Sequence, residues 1–548
     1  MRAVPLLLLP MLAGCATVPT RTASTADISV QTLKDVTQQL SSDEFEGRAP
    51  GTNGEVLATE LIARRMQAAG LTPGYKGTWF QPVPLVEITA KNVTPLTFST
   101  PAGPQSLAYG DDMVIATYRV TPKVAVANSD VVFVGYGINA PERNWNDYAG
   151  VNVRGKTVVI LVNDPDWSKP TLGGTFDGRA MTYYGRWTYK YEEAARQGAA
   201  AAIIVHDTEP AAYGWNVVES SWTGPQLVAA SKNDGADQSA AIGWMQKAKA
   251  EALFRASGQD FAALSAAAAR PGFRAVPLNA KASVGFANTI ARKQSKNVVG
   301  VLPGRTRPDE VVLYTAHWDH LGRCKPDASG DDICNGALDN ASGVAGLMAL
   351  AEAHAKAGPA ERSIAFVAVT AEESGLLGSA YYAANPTFPL GKIVGGINMD
   401  GLNIVGPTRN VIEVGGGKSQ LSTLLADAAR GQGRTVDQEP TPEKGYYYRS
   451  DHFSMAKLGV PMLYAESGDD LVTGGKAAGK RAADDYTENR YHQPSDQYNP
   501  NWNWAGAVQD LDLYYSIMSK LANSTLMPEW NAGSEFKLAR DQSLAAAR

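Results

Sequence analysis

The sequence predicts an α/β protein: a mixed, mostly parallel central sheet flanked by helices, interrupted by a β-rich insert. Short unbroken apolar runs at 311–316, 363–370, 393–398 and 461–466 have the length and continuity of strands buried on both faces, as parallel strands are. Helical stretches separate several of them, the clearest running from Val344 to Ala355. The insert is announced by a change of texture over 120–275. There Val131–Gly137, Lys156–Val162 and Ala201–Val205 read as strands, with a helix from Lys190 to Gly198.

A chain of 548 residues is long enough for two or three domains with full cores. Its 50 Lys and Arg against 55 Asp and Glu give a net charge of −5, and no basic block interrupts the sequence. That balance excludes nucleic acid as the expected partner.

From the amino end, Met1–Arg2, a short apolar run and Leu12–Ala13–Gly14–Cys15 read as a secretory signal closing on a bacterial lipobox. Cys15 is then the lipidated first residue and 16–28, rich in Thr, Ser and Ala, a tether. No other apolar run reaches the roughly 20 residues needed to span a bilayer. The expected mature protein is therefore extracytoplasmic and held to a membrane by its lipid anchor. Ala16 in place of Asp favours the outer membrane facing the periplasm.

Residues 29–119 are expected to form the N-terminal part of the main domain. Leu57, Leu61, Ile62 and Met66 share a helix face, Thr52 or Asn53 caps its start and Gly70 stops it. Strands and hairpins follow over 76–118. The main body is expected at 276–525 and a tail at 526–548. Cys324 and Cys334, the only cysteines besides Cys15, read as a disulfide clipping the polar loop between them. A Cys metal pair is the rival reading, although nine intervening residues fit no zinc-knuckle spacing.

The chemistry lies where the strands end. His317 follows 311–316, Glu372 and Glu373 follow 363–370, and Asp400 follows 393–398. Each stands just beyond the carboxyl end of an expected parallel strand, where open α/β sheets place their sites. Asp339, at the start of the helix-like segment, and His492 complete two imidazoles and three carboxylates, with Glu372 to spare. Imidazole and carboxylate suit Zn²⁺, and two such ions share a bridging carboxylate in hydrolytic sites. The expected arrangement has Asp339 as the bridge, His317 and Asp400 on one ion, and Glu373 and His492 on the other. Asp319 is expected to fix the His317 tautomer through its carboxylate. Glu372 is the expected general base, and Tyr491 the donor to a developing oxyanion.

These motifs (His-Trp-Asp-His, Asp-Asn-Ala-Ser-Gly, Ala-Glu-Glu-Ser-Gly-Leu-Leu-Gly-Ser, Asn-Met-Asp and Tyr-His) resemble those of the clan of co-catalytic zinc aminopeptidases. That clan also holds glutamate carboxypeptidase and the transferrin receptor. The insert resembles a protease-associated domain through Gly135–Ile138, Asn146–Gly150 and Lys190–Ala201. The resemblance implies a zinc-exopeptidase fold and two Zn²⁺ per chain. It implies His317, Asp339, Glu373, Asp400 and His492 as ligands, Glu372 as base, and peptides as substrates.

Aminopeptidase action is the leading expectation. A carboxypeptidase or dipeptidase on the same scaffold needs cationic groups for the substrate carboxylate, for which Arg449 is a lone candidate. A cyclase of glutaminyl type is disfavoured by the full ligand set. A non-catalytic binding protein is disfavoured because no ligand is missing.

The remaining histidines, His206 and His354, are expected to be structural, and His320 has no assigned part. Tyr446–His452 reads as a pocket wall or as packing, and Asp496 as a cap or turn residue. Tyr183, Tyr184, Trp187 and Tyr189 read as core aromatics, with an overhang of the cleft as the alternative.

Overall fold

The computed structural model describes residues 26–547; Cys15 and most of the expected tether lie outside them. Four parallel strands form the centre of the main sheet. Arg307–His317 lies between Arg362–Val369 and Ile393–Asn398, with His317 opposite Val369 and Thr315 opposite Asn398. Met462–Ser467 continues the parallel set beyond Ile393–Asn398. Val298–Leu302 and Asn410–Glu413 pair antiparallel at its two sides, so the sheet is mixed as the sequence predicts.

Both faces of these strands are buried, which is why their sequences are apolar without alternation. Val312, Tyr314 and Ala316 pack under helices Val30–Leu40, Asn53–Ala68, Gly343–Ala357 and Ala505–Ala522. Val311 and Leu313 face the other way, toward Tyr382 and Met455 on helices Leu377–Ala384 and His452–Lys457. The Asn53–Ala68 helix starts as expected: the Thr52 hydroxyl accepts from the Glu55 amide, and Glu55 accepts from the Gly51 amide at 2.6 Å.

The insert carries its own stretch of the same continuous sheet, in which strands Lys123–Phe133, Thr157–Leu161, Ala201–His206 and Ala241–Gln246 run parallel. Their side chains alternate between two cores: Val131, Phe133, Val159 and Ile203 into one, Val132, Val158, Ile160 and Ile204 into the other. Helices cover this sheet, including Trp187–Arg196 and Lys247–Ala256. The insert is thus itself α/β rather than mainly β. Its packing also begins ahead of residue 120. Met113–Ala116 pairs with Ala241–Gln246, and Leu96, Phe98 and Leu107 lie in its core.

One strand joins the two bodies. Val276–Leu302 spans 27 residues: its first part pairs with Lys123–Phe133, its middle with Phe80–Lys91 over twelve consecutive residues, and its end with Arg362–Val369. Cys324 and Cys334 are disulfide-bonded, and their hairpin packs against the turn Asp43–Arg48, where Gly47 leaves no room for a Cβ beside the Cys334 carbonyl. No described helix is long and apolar enough to cross a membrane.

Candidate metal centre

The parallel strands bring their candidate ligands to one point because their carboxyl ends coincide. His317 closes its strand, while Glu372, Glu373 and Asp400 follow theirs within a few residues. Asp339 arrives differently. The sequence suggests the start of a regular helix, but residues Ala337–Ser342 form a kinked turn in which Asp339 (φ −107°, ψ 96°) and Asn340 (φ −132°, ψ 35°) are non-helical. The Asp339–Asn340 peptide is cis. His492 stands in the loop after helix Gly475–Asn489 at φ 58°, and Ala371, just before the glutamates, at φ 52°. Such positive-φ conformations are costly for residues with a Cβ and persist where surrounding structure imposes them.

Four distances define the centre. His317 Nε2 lies 3.1 Å from Asp400 Oδ1 and 3.3 Å from Asp339 Oδ1. His492 Nε2 lies 3.3 Å from Asp339 Oδ2 and 3.1 Å from Glu373 Oε2. Asp339 thus offers one oxygen to each half. Donors held at about 2.0–2.1 Å from a tetrahedral zinc are separated by roughly 3.3 Å, so each half is spaced as the edges of a metal polyhedron. Two such halves joined through one carboxylate have the donor chemistry and spacing to hold zinc.

Several supports were not legible in the sequence. Arg48 is fully buried and donates to four main-chain carbonyls: Leu40, Trp318, Asn335 and Gly336. It thereby ties the His317 loop to the loop leading to Asp339. Burial pulls its guanidinium down to about 10, while Asp319 and Asp496 act to keep the charge on it. Ser450 donates to Asp400 Oδ2 at 2.6 Å and accepts from Asn398, which in turn accepts from Thr315. Asp496, beyond a cap or turn role, receives the amides of Leu338 and Asp339 and fixes the bridging loop. The Asn340 side chain accepts from the Gly343 and Gly401 amides.

Asp319 differs from expectation. Its main-chain carbonyl, at 3.2 Å, is the hydrogen-bond partner of His317 Nδ1; its carboxylate is 3.8 Å away. The carboxylate accepts instead from the Glu372 amide at 3.2 Å and so orients the glutamate pair. Burial pushes the Asp319 carboxyl up to about 8, against the opposing effect of His317. Burial likewise lifts Glu372 well above the usual carboxylate range, opposed by His317 and reinforced by Asp400 and Glu373. Tyr491 is 46% exposed and stacks on His492 with ring centroids 3.8 Å apart.

The other aromatic groups are mostly packing. His452 lies between Tyr447 and Tyr464, and Tyr183 bridges the insert to Phe453 and Tyr448. His206 and His354 have ordinary partners, the Tyr213 carbonyl and the Tyr314 hydroxyl.

Comparison with known proteins agrees with this geometry. Residues 297–516 match the profile of Peptidase family M28. A probable zinc metalloprotease of Pyricularia oryzae is 42% identical over 87 residues, 16% of this chain and 17% of that protein. Aminopeptidase YwaD of Bacillus subtilis is 34% identical over 94 residues, 17% of this chain and 18% of that protein. The chain thus spans less than a fifth of the length of these curated relatives. The solved aminopeptidase from Aneurinibacillus sp. strain AM-1 shares the fold, with TM-score 0.50 and 20% identity over 91% of this chain and 95% of that one.

Proposed function

We propose that this chain is a zinc-dependent exopeptidase, an aminopeptidase that removes N-terminal residues from peptides. The observation that carries the proposal is the bridged set of four 3.1–3.3 Å donor spacings built on His317, His492, Asp339, Asp400 and Glu373. When bound, a zinc pair lowers the pKa of a water and polarises the scissile carbonyl. The protein's own part is then acid–base and positional. Glu372 takes the proton of the attacking water and passes it to the leaving amine nitrogen. Tyr491, against His492, donates to the oxygen that gains charge. Asp319 holds the Glu372 amide, and Arg48 and Asp496 hold the loops. The insert is read as a protease-associated domain, and the lipobox ending at Cys15 supports an outer-membrane-anchored protein facing the periplasm.

Acidic surroundings support the amino-terminal polarity. Glu466, next to last in the strand Met462–Ser467, has Asp400 among the charges that act on it, which suits a substrate ammonium. A second reading, dipeptidase or carboxypeptidase, is favoured by one observation. Arg449 is not alone: Arg186 of the insert is lowered to about 9 by burial and then by the Arg449 charge, and the Nε atoms of both have no hydrogen-bond partner. Two such guanidinium groups suit a carboxylate.

The test is hydrolysis of a free-amine aminoacyl-nitroanilide and its N-acetylated twin by zinc-loaded protein, with Glu372→Gln alongside. Cleavage of the free-amine substrate alone, lost in the variant, supports the aminopeptidase. Cleavage only of peptides with a free carboxylate, lost in Arg449→Ala, supports the second reading.

A further inference from the structure

The insert and the catalytic body each close a short turn on an arginine, and the two turns pack together. Arg186 follows Tyr183–Gly185 and Arg449 follows Tyr446–Tyr448; each amide bonds back to the first carbonyl of its turn, at 3.1 and 2.9 Å. The Tyr183 ring centroid lies 6.4 Å from that of Tyr448 and 5.2 Å from that of Phe453. The Met181 amide donates to the Pro442 carbonyl at 3.1 Å, and Glu192 of the insert pairs with Lys457 of the body at 2.6 Å. The junction that carries both arginines is thus held by packing and by groups other than their side chains.

What the pair lacks is an anion. The Nε atoms of both are buried without a hydrogen-bond partner. Burial and then the Arg449 charge lower Arg186 to about 9, and no carboxylate is among the charges that act on it. Burial raises the phenol of Tyr213 in the insert, and both guanidinium charges oppose it. Arg449 rests 5.4 Å from the Tyr446 ring centroid. Glu439, an acid that feels Arg449, is engaged through Oε2 by the Gly415 amide at 3.1 Å. Like charges brought together out of water repel unless a counter-ion joins them. Two planar guanidinium forks match the two oxygens of a carboxylate.

The chain sets the place of this pair relative to the metal centre. Arg449 directly precedes Ser450, whose hydroxyl donates to Asp400 Oδ2 at 2.6 Å. Its Cα therefore stands about 3.8 Å from that of a residue touching a candidate ligand. A peptide with its first residue over the centre runs on at about 3.3–3.6 Å per residue, so one that ends soon after the cleaved bond can bring its terminal carboxylate to the pair.

We propose that Arg186 and Arg449 form a carboxylate subsite that selects short peptides. The insert lends one guanidinium and the body the other, and together they hold the C-terminal carboxylate of a dipeptide or tripeptide while its first residue is removed. This rests on the zinc-exopeptidase reading, and unlike the carboxypeptidase reading it keeps cleavage at the amino end.

The experiment measures kcat/KM of the zinc-loaded full chain on a leucyl tripeptide with a free carboxylate, its C-terminal amide, a leucyl tripeptide amide ending in glutamate, and leucyl-nitroanilide, with the released residue identified. Free leucine should appear first, and the free acid should be favoured over its amide by about 10–100-fold, the scale of hydrogen bonds to charged groups. Arg186→Gln and Arg449→Gln should each bring that acid-to-amide ratio close to one. A merely structural role would slow both substrates alike and leave the ratio unmoved. Arg186→Lys, which keeps the charge and loses the fork, should retain part of the preference. A wild-type ratio near one, a ratio that survives both Gln variants, or first release of the C-terminal residue would overturn the proposal. A gain confined to the glutamate amide would overturn the selection of short peptides and give the subsite to acidic side chains. Absence of hydrolysis on every substrate, the nitroanilide included, would instead sink the exopeptidase reading itself.

Discussion

The insert and the metal centre both bury carboxylates, and they treat them in opposite ways. In the insert Asp147 accepts from the Ile138 amide and the Trp145 indole, Asp164 from the amide and hydroxyl of Thr182, and Asp166 from the Phe176 amide. Lys190, fully buried among them, donates to the carbonyls of Tyr136 and Asn163. That cluster is complete within itself. At the centre, six acidic residues (Asp319, Asp339, Glu372, Glu373, Asp400 and Asp451) converge with histidines and Arg48 as the nearby bases. One oxygen of Asp319 and both of Asp451 have no hydrogen-bond partner. Buried charge that finds its partners serves the fold; like charges crowded at strand ends are held there by the fold for chemistry.

Substitutions in the two regions should therefore fail in different currencies. The largest effect is expected from Glu372→Gln, which should lower kcat about 10²–10⁴-fold while bound zinc and thermal stability stay at wild-type values. A variant that retains activity would move the base elsewhere. Lys190→Met should do the reverse. Removing one partner of a buried polar cluster costs about 3–5 kcal/mol, read as a shift in urea midpoint, with zinc stoichiometry unchanged in the folded fraction. Ser450→Ala removes the donor to Asp400 Oδ2 and should weaken zinc at the His317 half by about 10–100-fold. Unaltered affinity would make that hydrogen bond incidental.

The last effect is a pH slope. Burial lowers His354 to about 3, so it stays neutral in the folded protein. Above pH 6.5 neither state carries the proton and the group contributes no slope. As pH falls from 6.5 toward 3, the unfolded chain takes up a proton that the folded chain does not, and stability drops by up to about 1.4 kcal/mol per pH unit. Unfolding free energies between pH 4 and 7 should be flatter in His354→Gln; an identical slope would assign the acid sensitivity to other groups.

Local sequence picks out the candidate ligands that follow strands and hides the groups packed around them. His317, Glu373 and Asp400 stand out because each ends a continuous apolar run, a signal confined to about ten residues. Arg48 reaches Asn335 across 287 positions and Asp496 reaches Asp339 across 157, and no local pattern encodes such contacts. Asp319 was misread because its place two residues after His317 gives proximity but not direction: the chain presents its carbonyl to the ring and its carboxylate to Glu372. His320 carries a signal in plain view, a second histidine in His-Trp-Asp-His, yet only the structure places its Nδ1 2.6 Å from Glu373 Oε1. The insert's helices were underestimated because its strands, buried on both faces, dominate the apolar pattern.

The Val276–Leu302 strand makes the insert and the catalytic body thermodynamically inseparable. A segment that pairs at each end with a different part of one sheet cannot leave either part without disrupting the ladder of the other, and twelve paired residues with Phe80–Lys91 stiffen the span between them. Melting should therefore be one cooperative event in calorimetry, with damage in the insert registering at the metal centre as lost population of the folded chain.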